Sequence, residues 1–491
     1  MKHRAVFLTS LLVAMATTLV MCLVLFRSVP RSDGPLRHEV YVWQRAWTQP
    51  VRDAVSQHAT NFAEIVPLKA EISWKDGKPQ LTRVAVNYPT LAAITATGRA
   101  DLPVGPDAQQ RVPTIGMALR IGPYAGPFTA PSESPPSPTH ASAPTPSHPP
   151  REERAGERRP SSTQPSTPLP SPLPAAQGEG ITRYVCDVAA SLVAEARSNH
   201  LTLAELQIDF DCAESKLDGY RVWLEAIQRR VAPLPVTITA LPSWLDSAAF
   251  RRLAALATNY VLQVHSVERP RSFPAPFSLC DPHAAARAVE RAGRIGVPFR
   301  VALPTYGYTF AFDQAGKFIG LSAEGPRPNW PTNAQLREVY SDPIELSTLV
   351  QNWTAGRPAA LRGVSWYRLP TIVDNFNWRW PTLGAIVESR SLQEKLRIEP
   401  RRVEAGLTEV ILVNSGDLDI SSRLAVEVRW ADARLIASDA LRDFELADRR
   451  TSAARFQTRS QPVRLRAGDR LTLGWLRFDR DCEVRCELSK L

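Results

Sequence analysis

Eight short runs rich in β-branched and apolar residues alternate with amphipathic helical stretches up to Ser389, and this alternation restricts the fold more than any other feature. The runs are Glu39 to Trp43, Glu64 to Glu71, Thr114 to Ile121, Ala204 to Phe210, Val236 to Leu241, Tyr260 to His265, Phe299 to Pro304 and Gly363 to Tyr367. Strand followed by helix, repeated, means parallel strands joined by crossover helices, and eight is the number that closes a barrel. The helices carry their own start signals. Asp281-Pro282 opens Ala284 to Ile295 and Asp342-Pro343 opens Ile344 to Trp353, each a capping carboxylate with Pro in the first turn, and Gly296 and Gly356 end them. An open doubly wound sheet is the rival arrangement, but no Gly-rich phosphate turn follows any of these strands. The pattern predicts an α/β chain with a (β/α)8 TIM-type barrel over 38–388.

Beyond Ser389 helical periodicity fades. Thr408 to Val413, Leu424 to Trp430 and Arg470 to Phe478 alternate with a period of two, and Asn414-Ser-Gly-Asp417 is a turn signal. This predicts a β-sandwich over 395–491.

The barrel pattern has one interruption. From Thr129 to Gly180 the chain holds no Phe, Trp, Tyr, Ile or Val, and Pro, Ser and Thr dominate around a charged patch, Arg151 to Arg159. Such a stretch cannot bury a core, so it reads as a disordered surface insertion, with a Pro-rich protein ligand as the sharper alternative.

At the other extreme, Ala5 to Phe26 is an uncharged run of 22 residues between Arg4 and Arg27. That length spans a bilayer, and the run ends in large residues with no small-x-small cleavage site. Residues 1–30 are therefore expected to be an uncleaved transmembrane anchor, with the body on the extracytoplasmic side. If the segment were cleaved, the protein would be secreted.

The formal net charge of +10, from 59 Lys and Arg against 49 Asp and Glu, would suit nucleic acid if it were clustered. The Arg pairs at 229–230, 251–252, 401–402 and 449–450 are scattered instead, so no nucleic-acid partner is expected. Six dispersed cysteines form no disulfide framework. Cys482 and Cys486 would lie about 13 Å apart on one strand, too far to bond without a turn between them. No further ligands are spaced to make a zinc site with them, and the sequence asks for no metal and no cofactor. Oligomeric state is not legible.

In a parallel barrel the working face lies at the strand C-termini. Collected there are Trp43, Gln44 and Arg45; Arg120; Gln207, Asp209 and Asp211; Trp244; Gln263 and His265; Tyr306; and Trp366, Tyr367 and Arg368. Asp209 and Asp211, two apart on a strand, point to the same side, and neighbouring carboxylates push one pKa upward, so one could hold a proton at neutral pH. They are candidates for an acid and base or for a substrate-orienting pair; alternatively they line the interior and bond to Gln207, Arg120 or backbone. Glu214 and His265 are candidate proton donors. Trp43, Trp244, Tyr306, Trp366 and Tyr367 would offer flat apolar faces beside the acids, with Gln44, Arg120 and Gln263 as polar contacts, the combination a sugar ring needs.

Leu206-Gln-Ile-Asp-Phe-Asp211, Thr237-Ile-Thr-Ala-Leu-Pro-Ser-Trp244 and Val40-Tyr-Val-Trp-Gln-Arg-Ala-Trp47 together resemble a bacterial family known as domain of unknown function 3142, over roughly His38 to Glu388. More distantly, Leu303-Pro-Thr-Tyr-Gly307 and Gly363-Val-Ser-Trp366 are similar to the seventh- and eighth-strand motifs of the family-eighteen, chitinase-like glycoside hydrolases. That resemblance implies a barrel whose fourth strand carries spaced aspartates, here Asp209 and Asp211, followed two residues later by a proton-donating Glu. Ala213 occupies the donor position and Glu214 falls one place beyond it. The expectation is an anchored extracytoplasmic barrel that binds or cleaves a glycan or another polar small molecule. The alternative is a non-catalytic carbohydrate-binding or envelope scaffold.

Overall fold

A computed structural model describes residues 29–97, 112–130, 175–266, 270–323 and 328–491. The anchor run and most of the Pro-rich stretch lie outside them. Among the described residues no helix is long and apolar enough to cross a membrane.

Eight parallel strands form the barrel: β1 (Arg37–Val42), β2 (Glu64–Lys75), β3 (Thr114–Ile121), β4 (Leu203–Phe210), β5 (Val236–Ala240), β6 (Tyr260–Gln263), β7 (Phe299–Pro304) and β8 (Leu361–Tyr367). Each pairs with its sequence neighbour, and β1 pairs with both β2 and β8, so the ring closes. One helix follows each strand: α1 (Gln49–His58), α2 (Tyr88–Thr97), α3 (Ala175–Ser198), α4 (Leu217–Val231), α5 (Ala248–Ala257), α6 (Pro282–Ile295), α7 (Pro343–Ala355) and α8 (Trp380–Val387). The capping signals act as expected. Asp281 accepts a hydrogen bond from the Ala284 N–H at 2.8 Å, and Asp342 accepts from Ile344 and Glu345 at 2.8 and 3.2 Å.

Several elements depart from the sequence expectation, among them a strand Lys78–Arg83 that pairs antiparallel with β2. Helix α3 begins at Ala175, inside the stretch read as insertion, because Ala175 to Gly180 carry no proline to stop a helix that Ile181, Val185 and Leu192 anchor in the core. Between β7 and α7 an antiparallel sheet of Gly307–Phe312, Phe318–Ser322 and Gln335–Tyr340 is inserted. Its signal was the alternation Tyr308-Thr-Phe-Ala-Phe312, which buries Phe310 and Phe312.

Strand alternation divides the barrel residues between two environments. Outward-facing side chains meet the helices: Phe250 of α5 packs edge-on to Tyr260 of β6, which stacks on Phe299 of β7 with ring centroids 5.4 Å apart. Inward-facing side chains are unusually polar, and they build the site described below.

The C-terminal region is a sandwich of two four-stranded antiparallel sheets. One contains Leu396–Glu404, Leu407–Asn414, Arg470–Phe478 and Leu435–Ala440; the other contains Phe444–Arg449, Ala453–Thr458, Leu424–Trp430 and Val484–Lys490. A separate core of Val410, Leu412, Val426, Phe444, Phe456 and Leu476 lies between them. Cys482 precedes the last strand, Cys486 lies within it, and both carry free thiols, as do Cys186, Cys212 and Cys280.

Candidate active site

The fourth strand organises the barrel interior. Glu205, Gln207 and Asp209 alternate along β4, so all three point inward, one above another. At the lower level Arg300 of β7 lies among three carboxylates: both Glu205 oxygens at 2.8 and 2.9 Å, Glu39 at 2.9 Å and Glu64 at 3.4 Å. Thr237 and Ser365 donate to Glu205 and Glu39 at 2.6 and 2.9 Å. The strand register makes this meeting possible, since Glu39 stands opposite both Glu64 and Ser365. Gly116 provides the room, because a Cβ there would fall 2.7 Å from a Glu64 oxygen.

Three carboxylates and one guanidinium would leave net negative charge in a dry interior. Burial first, then repulsion from Glu205 and Glu39, raises Glu64 to about 8, so at neutral pH Glu64 holds a proton. Burial also raises Glu39, against the pull of Arg300. A group whose folded pKa is raised stabilises the fold fully below its unfolded value, and that contribution disappears as pH climbs through the folded pKa. Glu64→Gln is therefore expected to remove the Glu64 share of a fall in stability that the wild type shows between about pH 4.5 and about pH 8, leaving a shallower fall from Asp209 and Glu39. Urea midpoints measured across that window check it; parallel pH curves for the two proteins would refute it.

Above this cluster Gln207 donates to Glu205 and accepts a 2.7 Å bond from the Tyr41 hydroxyl. The next level is the mouth. There Asp209 accepts from Thr239 at 2.9 Å and faces the Arg120 Nε at 3.8 Å, the β3–β4 register having put Arg120 directly opposite. Arg120 also reaches Glu71 at 4.0 Å, and Glu71 is held by Arg45 through two bonds of 2.7 and 2.9 Å. Burial, and then the charge of Asp211, raise Asp209 to about 6, while Arg120 and the Thr239 bond pull it down. Asp211 itself lies just past the end of β4, half-buried and wetter than Asp209.

Tyr367 is the hub of the aromatic side of the mouth. Its ring centroid lies 5.3 Å from Trp43, 5.4 Å from His265, 5.5 Å from Tyr306 and 5.8 Å from Tyr41. Trp43 is only 4% exposed, and its indole N–H has no hydrogen-bond partner among the described residues. Solvent reaches Arg120, Asp211, Gln263, Tyr308 and Tyr367.

Several expected site residues stand elsewhere or act differently. Trp244 is fully buried against Phe250 of α5, and Trp366 is fully buried where it stacks on His38 and packs near Trp378, so neither offers a face to a ligand. The reason is strand alternation: Ser365 and Tyr367 point inward, which turns Trp366 toward the helices. His265 is also buried. It bonds through Nδ1 to the Tyr306 hydroxyl at 3.1 Å, and desolvation lowers it to about 3, so it stays neutral and supplies no acid near pH 7. Glu214 is exposed on the 3-10 turn Glu214–Lys216, outside the desolvated mouth. Gln44 and Gln263 are half-buried and donate to the carbonyls of Leu369 and His265 at 3.0 and 3.3 Å. Tyr306 is buried, its hydroxyl shared with Ser266, His265 and Tyr308. The residues that sequence reasoning overlooked are Glu39, Glu64, Glu205 and Arg300. Their signal was a charge inside an otherwise apolar strand run, with Glu205 in phase with Asp209.

The fold and mouth define a closed (β/α)8 barrel whose interior is a polar column ending in a protonatable acid beside an aromatic cluster, with a β-sandwich appended. Residues 179–372 match the family model described as Domain of unknown function (DUF3142), and residues 398–479 match that of a second Domain of unknown function (DUF8456). The first match bears out the resemblance read from Leu206 to Asp211 and Thr237 to Trp244; the opening from Val40 to Trp47 lies outside the matched residues. No curated protein matches the chain. Among solved structures, the spore cortex-lytic enzyme SleL of Bacillus cereus is 10% identical over 74% of this chain and 76% of its own, with a TM-score of 0.44. A chitinase from Chromobacterium violaceum is 12% identical over 72% and 98%, TM-score 0.42, and a GH113 β-1,4-mannanase is 10% identical over 73% and 98%, TM-score 0.38.

Proposed function

We propose that the barrel mouth binds a glycan and that Asp209 is the group that exchanges a proton with it. The observation that carries this reading is a buried carboxyl raised to about 6 next to Arg120, Asp211 and the Tyr367 cluster. A general acid works best with a pKa near the working pH, and burial beside a like charge is how a carboxyl reaches that range. Arg120 would hold the ionised form and orient a ligand hydroxyl. Tyr367 would offer part of a ring face to the sugar.

Ala213 supports a second reading. It stands where the resembled hydrolases place their proton-donating Glu, and a barrel without that donor could retain binding and lose cleavage. A panel of labelled glycans, assayed for both binding and turnover with wild type, Asp209→Asn and Asp211→Asn, separates the two. Turnover lost in Asp209→Asn with melting temperature not lowered, and shifted to lower pH in Asp211→Asn, supports catalysis. Binding without turnover in the wild type supports the second reading. Neither binding nor turnover across the panel would refute both.

The same proposal includes an extracytoplasmic body held by Ala5 to Phe26. Arg31–Ser32 pair with Arg357–Pro358, ahead of β8, so the chain joins the barrel at the end opposite the mouth. An anchor preceding residue 29 would hold that end toward the membrane and point the mouth away, about 20 Å out by strand length. Protease added to intact cells or spheroplasts is expected to digest the body, and a chain starting at Val29 is expected in the soluble fraction. A body protected until the membrane is lysed would overturn the orientation.

A further inference from the structure

We infer that the sandwich is part of the site, with Arg466 acting as a positioning residue for the mouth; this rests on the reading that the mouth is where the ligand binds. The segment after β8, residues 369–378, forms the rim beside Tyr367 and carries Ile372 and Val373, which are 74% and 61% exposed. Apolar side chains so exposed gain little from burial, so the apex of this rim must be held by polar contacts.

Arginines supply those contacts. Arg466, from the sandwich, donates to the Asp374 carbonyl at 2.6 Å and to the Asn377 carbonyl. Arg379 donates to the carbonyls of Thr371 and Ile372. Arg368, at the end of β8, pairs with the Asp374 carboxylate at 2.7 Å, with both side chains buried.

What Arg466 grips is joined to the aromatic cluster. Asn377 bridges to Tyr306 and donates to the Arg368 carbonyl at 3.2 Å. The Trp378 N–H donates to the Thr305 carbonyl at 2.7 Å, and the Gly307 N–H donates to the Phe376 carbonyl at 2.5 Å. Thr305 in turn accepts from the Arg368 N–H at 2.8 Å and donates to its carbonyl at 2.6 Å. Tyr306 and Tyr367 are thus flanked by residues that the rim holds, and the rim is held from the sandwich. A charged donor on two carbonyls three residues apart is a strong clamp, and the planar Arg fork reaches them from two separate nitrogens, whereas Lys offers one flexible point donor.

Arg464 provides the control. It too crosses from the sandwich, to the Tyr340 hydroxyl at 3.1 Å and over its ring at 4.6 Å, and it touches no rim carbonyl, although Tyr340 pairs with Gly307 and stacks on Phe376. Hydrogen exchange on the full chain should show the Gly307 and Trp378 amides exchanging roughly tenfold faster in Arg466→Ala, with Arg466→Lys between that variant and wild type. Arg464→Ala should leave the Trp378 amide, whose acceptor is Thr305, at its wild-type rate, and the strand Leu424–Trp430 should be protected equally in all four proteins. Near-UV circular dichroism from the Tyr306, Tyr367 and Trp43 cluster should change most in Arg466→Ala and less in Arg466→Lys. Unchanged exchange at Gly307 and Trp378 in Arg466→Ala would overturn the inference, as would an equal acceleration of the Trp378 amide in Arg464→Ala, which would reduce Arg466 to generic attachment between domains. These readouts need no glycan, so failure of the proposed function leaves them intact. If the panel yields a bound glycan, Arg466→Ala should weaken it with the same rank order.

Discussion

Arg300→Met is expected to leave little folded protein at neutral pH. The guanidinium lies 4% exposed among Glu39, Glu64 and Glu205 and is the cation that all three contact. Removing one member of a buried ion cluster destabilises by about 3–5 kcal/mol, because the remaining charges have no water to turn to. Met fills similar volume, so the loss is electrostatic and not a cavity effect. Two measurements separate these causes. The deficit should be smaller at pH 5 than at pH 8, since uncompensated carboxyls bind protons more readily as pH falls. Adding Glu205→Gln to Arg300→Met should recover part of the loss, since it removes the carboxylate that takes two of the four Arg300 contacts. A soluble Arg300→Met protein with a wild-type urea midpoint would show that the column is not held by this cluster.

Asp209→Asn carries the largest expected effect on activity. If Asp209 is the proton-exchanging acid, replacing it lowers turnover by about 10²- to 10⁴-fold. Stability should move the other way. The Asp209 pKa is raised to about 6 from its ordinary 3.8, so its favourable contribution is complete below pH 3.8 and disappears as pH rises through 6. Asn escapes that loss, gaining up to about 3 kcal/mol above pH 6, less what Arg120 forfeits when its partner becomes neutral. Wild-type turnover that needs the protonated acid should decline tenfold per pH unit above about 6. Asp211→Asn removes the second cause of the raised pKa and should shift that decline to lower pH. Full turnover in Asp209→Asn would remove this residue from the chemistry.

The path of the chain was legible because barrel strands and crossover helices are local patterns. Thr114 to Ile121 and Phe299 to Pro304 coincide with β3 and β7, and the Asp-Pro starts of α6 and α7 lie where their caps predicted. The site was legible only in part. Asp209, Arg120, Trp43 and Tyr367 meet at the mouth, but Trp366, expected there as part of the same strand end, faces the helices because adjacent strand residues point opposite ways. His265 could be placed at a strand end, yet whether it titrates near neutrality depends on how dry its surroundings are, and Tyr306 and Tyr367 come from other strands. Arg300 offered only a charge in an apolar run. Its three partners lie 95, 236 and 261 residues away.

The sequence by itself determined the order of strands and helices, the shared phase of Gln207 and Asp209, and the two-part division of the chain, because these follow from periodicity and capping within a few residues. Only the tertiary structure decided which charges share the barrel interior, which carboxyl holds a proton and how the sandwich grips the rim. Those depend on register between strands distant in sequence and on the exclusion of water, and neither exists until the ring has closed.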